Sequence, residues 1–155
     1  MEMINLKKKI ILSLMLVFFT IGCVLQSDYA EIPKGYTDNE EYYSKDGFQD
    51  HTDYAKYIYS SPEIITDNDK YEEVKEEDIV NIKGYFEHFY SWMRECDRLD
   101  EYDFDESVIN SGDYIRIKTK EGEKIGDSKY EKYDNYSVYY FDIETLTLYY
   151  IHSNI

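Results

Sequence analysis

The stretch Glu76-Glu77-Asp78-Ile79-Val80-Asn81-Ile82-Lys83-Gly84-Tyr85-Phe86-Glu87-His88-Phe89-Tyr90-Ser91-Trp92-Met93-Arg94-Glu95-Cys96 decides the fold. Ile79, Ile82, Phe86, Phe89, Met93 and Cys96 recur at steps of three and four residues. That spacing puts them on one face of an α-helix, and such a face must be buried against an apolar layer. The ends of the stretch agree. Glu76, Glu77 and Asp78 place negative charge at the positive end of the helix dipole, Val74 and Ile79 are spaced as a hydrophobic staple, and Arg94 and Arg98 suit the negative end. Gly84 disagrees with its helical surroundings, costing up to about 1 kcal/mol against alanine. It is expected where another backbone approaches closely.

After an acidic connection, Asp97 to Glu106, the period changes to two. Tyr114-Ile115-Arg116-Ile117-Lys118-Thr119 puts both isoleucines on one side of a strand. A turn is expected at Glu121-Gly122. Tyr136 to Phe141 and Leu146 to Ile151 flank Asp142-Ile143-Glu144-Thr145, which reads as a four-residue hairpin loop, and residues 129 to 133 offer a further strand. Upstream, Gly47 to Ser60 is ambiguous; Phe48, Ala55 and Tyr59 favour a short helix capped by Thr52. Ser61-Pro62 and Thr66-Asp67-Asn68-Asp69 then read as breaks. The expectation is an α+β fold, with one long amphipathic helix packed on a three- or four-stranded antiparallel sheet, in a single small domain over residues 46–155. The order of elements resembles cystatin-like rolls in architecture alone, because no cystatin motif is present.

The N-terminal end carries an address. Lys7-Lys8-Lys9 precedes the apolar run Ile10 to Ile21, and Gly22-Cys23 follows. A basic patch, about a dozen apolar residues and a small residue before a cleavage point make a secretory signal, too short for a comfortable transmembrane span. Thr20-Ile21-Gly22-Cys23 resembles the lipobox of bacterial lipoproteins, although that family most often has leucine where this chain has Thr20. The resemblance implies cleavage before Cys23 and a diacylglyceryl group on its sulfur. Residues 1–22 are then a signal peptide, and 23–45 a lipidated cysteine followed by a flexible acidic tether. The body sits on the extracytoplasmic face of a cell membrane, held through its lipid. Two chains hold firmly where one binds marginally, at about 0.8 kcal/mol per buried methylene. An ordinary secretory signal or an uncleaved anchor is the alternative, and either also leaves the body outside the cytosol. With Cys23 in a thioether, Cys96 is left alone and no disulfide framework exists.

The chain has 155 residues and a formal charge of −16; loss of residues 1–22 removes three lysines and one glutamate, taking it to −18. Such a field disfavours nucleic acid and anionic surfaces and favours cationic partners. All 19 tyrosines lie beyond the signal. They provide apolar rings with polar tips, suited to half-buried sheet positions or to a sticky recognition surface.

Motifs for catalysis are missing. The acidic run Asp97, Asp100, Glu101, Asp103, Asp105 and Glu106 reads as a solvated loop, with a weak, irregular cation site as its remaining alternative. An EF-hand starting at Asp103 fails because Val108 and Tyr114 stand where glycine and glutamate belong. His51, His88 and His152 lack zinc spacing and accompany no Gly-x-Ser-x-Gly turn. His88 is expected on the polar side of the helix, and Cys96 as a small core residue closing its stripe. No catalytic, cofactor-binding or metal residue is assigned, and no cofactor. The expected function is a non-enzymatic, membrane-tethered module binding a protein, peptide or glycan, with Tyr139, Tyr149 and Trp92 as its contacts. An acidic inhibitor or immunity-type protein acting on a basic enzyme or toxin is the second reading. An envelope hydrolase using paired carboxylates is the third. The ligand and the oligomeric state are not legible in the sequence.

Overall fold

The computed structural model describes residues 31–44, 51–119, 133 and 135–154. The helical stretch folds as expected: a 3-10 turn, Glu76–Asp78, leads into an α-helix, Ile79–Glu95, with Ile82, Tyr85, Phe86, Phe89 and Met93 buried. The Asp78 carboxylate accepts from the Lys75 amide at 3.3 Å. Val74 and Ile79 join the same core cluster. At the far end the Arg98 amide donates to the Met93 carbonyl at 2.8 Å and the Asp97 amide to that of Arg94 at 3.2 Å, with Asp97 at φ 56°. This is a Schellman cap with aspartate in the left-handed position that glycine usually takes. Because it ends the helix at Glu95, Cys96 turns out of the stripe and is exposed, correcting its expected place in the core.

In chain order the elements are β1 (Tyr36–Tyr42), β2 (His51–Tyr59), a single helical turn α1 (Glu63–Thr66), β3 (Glu72–Glu73), the long helix α2 (Ile79–Glu95), β4 (Tyr114–Thr119), β5 (Asn135–Asp142) and β6 (Thr147–Asn154). The strands form one antiparallel sheet in the order β1-β2-β6-β5-β4-β3. Six strands replace the three or four expected. β2 lies where a short helix was expected, and Thr52 is a strand residue rather than a cap. β1 lies within residues 23–45, the segment expected to be a tether. The Glu121-Gly122 turn, and residues 129 to 132 of the further expected strand, lie outside the described residues.

Register explains the layering. Tyr42, Tyr54, Ile151, Val138 and Ile117 are successive cross-strand partners, and all belong to the core cluster beneath α2 or pack against it. The 97–109 connection closes the rest of this face. Its alternation Tyr102-Asp103-Phe104-Asp105 points the rings inward, where Phe104 stacks on Phe86 at 4.0 Å and meets Tyr149 edge-on at 4.8 Å. One residue along, the opposite face carries the rows Ala55-Tyr150-Tyr139-Arg116 and Tyr57-Leu148-Phe141-Tyr114. All of these are buried except Tyr114, which is half-buried. β5 therefore reads YSVYYFD, buried on both sides, as a central strand should.

The β5–β6 loop spans residues 143–146 between the paired Asp142 and Thr147. Its first residues are held by the Asp142 carboxylate, which accepts from the Glu144 amide at 2.9 Å and the Thr145 hydroxyl at 2.7 Å. Leu146 adopts φ 56° and accepts from the Tyr59 amide at 2.9 Å, tying the loop to β2.

Candidate binding surfaces

The structure separates the three expected contacts. Tyr139 is fully buried on the face away from α2, with Tyr150 at 4.9 Å and the Arg116 guanidinium 5.4 Å from its ring centre. Tyr149 lies on the other face, half-buried against Phe104. Trp92 is half-buried on α2. Because Tyr139 is paired with Tyr150, alternation along β6 puts Tyr149 on the other face. Cys23 lies outside the described residues.

One row has the composition of a hydrolytic triad: Asp53, His152 and Ser137 are cross-strand partners on β2, β6 and β5. The hydrogen bonds argue against that chemistry. His152 Nδ1 lies 3.0 Å from the Ser137 hydroxyl oxygen and 3.0 Å from the Tyr136 carbonyl. A carbonyl only accepts, so Nδ1 carries the proton and cannot take one from Ser137. Asp53 is occupied elsewhere, accepting from the Ser44 amide at 2.9 Å. The row closes a sheet; it does not generate a nucleophile.

The other histidines are also built into packing. His88 was expected on the polar side of the helix, but it is half-buried, stacked on Tyr133 at 4.8 Å with Nδ1 3.1 Å from the Tyr136 hydroxyl. His51 Nδ1 lies 3.4 Å from the Ser44 hydroxyl. Gly84 does mark a close approach, though by a side chain: a Cβ there would sit 2.6 Å from the Tyr133 hydroxyl.

The acidic connection is partly spent on structure. Asp103 accepts from the Tyr54 hydroxyl and from Lys56 Nζ, both at 2.7 Å, and Glu40 of β1 holds the same ammonium at 2.8 Å. Burial works against the charge on Lys56, but the hydrogen bonds it donates to Asp103 and Glu40 outweigh it and raise its pKa. Burial likewise opposes ionisation of Asp103, yet Lys56 and Tyr54 hold its pKa below the ordinary value. Glu101 pairs with Arg98 Nε at 2.8 Å, and Asp105 caps the turn at Glu106–Val108 through the Ser107 amide. Among the described residues no three His, Cys, Asp or Glu side chains converge as metal ligands. Sequence reasoning met Asp103 only as part of the acidic run and did not single out Lys56, although Lys56 is the only cation in a run of tyrosines and its isolation was a signal.

A second carboxylate that sequence reasoning missed, Asp113, is buried and accepts from the amides of Asn110 at 3.0 Å and Ile143 at 3.1 Å, and from the Tyr140 hydroxyl. It ties the start of β4 to the β5–β6 loop, a structural task.

The outer edge of β1 is open to solvent. Tyr36 to Glu41 are exposed, and among the described residues the strand's cross-strand partners are all in β2. The Asn39 amide is taken by the neighbouring Asp38 carboxylate at 2.9 Å, so it lies outside the β1–β2 ladder and points outward. By alternation Glu41 shares that orientation. The opposite edge, β3, is only two residues long.

No family model matches the chain, and no curated protein or solved structure matches it. Among the described residues no helix is long and apolar enough to cross a membrane.

Proposed function

We propose that this chain is a membrane-tethered, extracytoplasmic binding module, anchored by a diacylglyceryl group on Cys23 and without catalytic activity of its own. The observation that carries the reading is the run from Lys7 to Cys23, whose basic patch, apolar stretch and Gly22-Cys23 junction have the order a lipidated export signal requires. The chain's negative charge supports a cationic partner over nucleic acid.

The test is the intact mass of membrane-extracted wild type against Cys23→Ala. A mature chain beginning at Cys23 with added lipid mass, absent from the variant, is expected. An unlipidated wild-type chain beginning elsewhere overturns the anchor. The second reading, an acidic inhibitor of a basic enzyme or toxin, is favoured by the concentration of Asp38, Glu40 and Glu41 on one edge strand. It expects binding that weakens steeply with salt.

A further inference from the structure

We propose that the free edge of β1 takes up an extended, lysine- or arginine-rich segment of a partner protein as a seventh strand. The inference deepens the binding-module reading and rests on it, naming both the surface and the class of partner.

Three observations converge on this edge. First, β1 is a seven-residue exposed strand that, among the described residues, has cross-strand partners on one side only, with the backbone of Asn39 and Glu41 pointing away from them. Seven residues span about 23 Å, the length of an ordinary strand, so the edge can template a whole partner segment. Second, the strand reads Tyr-Thr-Asp-Asn-Glu-Glu-Tyr and holds three carboxylates and no cation. Third, the strand is firmly backed. Lys56 holds Glu40 from β2, the Tyr57 hydroxyl donates to Glu41 at 3.1 Å, and the Thr37 hydroxyl donates to the Ile58 carbonyl at 3.1 Å.

Edge charges ordinarily protect a sheet from aggregation, and here that protection is selective. Antiparallel pairing of two β1 edges would bring the Asp38-to-Glu41 carboxylates of one copy up against those of the other, which like-charge repulsion disfavours. A cationic strand meets the same edge with attraction in place of repulsion. The Asp38 carboxylate that occupies the Asn39 amide would then be released to an incoming lysine or arginine, freeing that amide for the new ladder. At the other end of the sheet the outermost strand, β3, holds only Glu72 and Glu73, too few residues to template a segment.

The experiment uses the full chain, isotopically labelled in detergent, titrated with a peptide of alternating lysine and threonine and, separately, with the same peptide N-methylated at alternate backbone nitrogens. Methylation leaves every charge in place and removes the donors that strand pairing needs. The unmodified peptide is expected to shift the Asn39 and Glu41 amide resonances and slow their hydrogen exchange, and to bind more weakly as salt rises. The methylated peptide should bind about tenfold more weakly or worse, the loss implied by a few missing backbone hydrogen bonds. Equal binding by the two peptides, resonance shifts elsewhere on the body, or no binding by either would each overturn the proposal. Shifts elsewhere would sink the edge while leaving a binding module standing, and the anchor is judged separately by the mass of the chain carrying Cys23.

Discussion

Raising the pH should unfold this protein abruptly, because so much of its interior is phenol. Burial, the largest cause in each case, pushes the pKa of Tyr54, Tyr57, Tyr59, Tyr102, Tyr136 and Tyr140 far above the ordinary value. Neighbouring carboxylates add to it: Asp103 at Tyr54, Glu41 at Tyr57, and Asp113 at Tyr140. The folded chain therefore keeps protons that the unfolded chain releases from about pH 10 upward. The stabilisation is fully present below that pH and is lost as pH rises above it. Each such group removes about 1.4 kcal/mol per pH unit, so six acting together remove about 8 kcal/mol per unit. Set against the roughly 5–15 kcal/mol that holds a typical domain, the transition should be complete within about two units above pH 10. The assay follows phenolate absorbance and near-ultraviolet circular dichroism together across an alkaline titration. The dichroism should be lost in one steep step, and the buried phenols should ionise with it. Gradual ionisation of most tyrosines from pH 10 with the dichroism retained would refute the reasoning, since it would mean the rings are accessible to hydroxide in the folded state.

Other perturbations have equally definite expectations. Asp113→Ala removes a buried acceptor from the part-buried Asn110 and Ile143 amides and from the Tyr140 hydroxyl, which keeps the Val108 carbonyl at 2.9 Å, so urea denaturation should show a loss of about 1–3 kcal/mol; a loss under about 0.5 kcal/mol would contradict its role as a tie. Asp97→Gly relieves a left-handed aspartate in the helix cap and should raise stability by about 0.5–1 kcal/mol in the same assay. Gly84→Ala should not deliver the usual helical gain of up to about 1 kcal/mol, because the new methyl displaces the Tyr133 hydroxyl; a thermal melt at or below wild type is the expected result.

Legibility followed the physical origin of each element. The helix was readable because one face is buried and the other is not, which writes a 3.6-residue period into Ile82, Phe86, Phe89 and Met93. The β5–β6 hairpin was readable because Asp142 announces the turn, although the left-handed Leu146 moved the start of β6 by one residue to Thr147. β2 was misread because both its faces are buried over Tyr54 and Ala55, so alternation vanishes. β1 was misread for the opposite reason: an edge strand exposed on both faces needs no apolar residues and looks like a linker. Among the site residues, the side of Arg116 followed from Ile115 and Ile117. Its burial did not, because burial depends on a second aromatic layer that one strand cannot reveal. Tyrosine hides such a layer, since its polar tip lets the same residue serve inside and outside.

The position of β6 bears on how the chain is made. The last strand in sequence, Thr147–Asn154, lies between β2 and β5, so residues 51–59 have no strand partner on that side until it arrives. Contacts this distant in sequence make for slow folding. Until its final strand has been synthesised, the growing polypeptide holds two fragments, β1-β2 and β3-β4-β5, that cannot join. A polypeptide in that condition presents two raw sheet edges, those of β2 and β5, which β6 alone closes together.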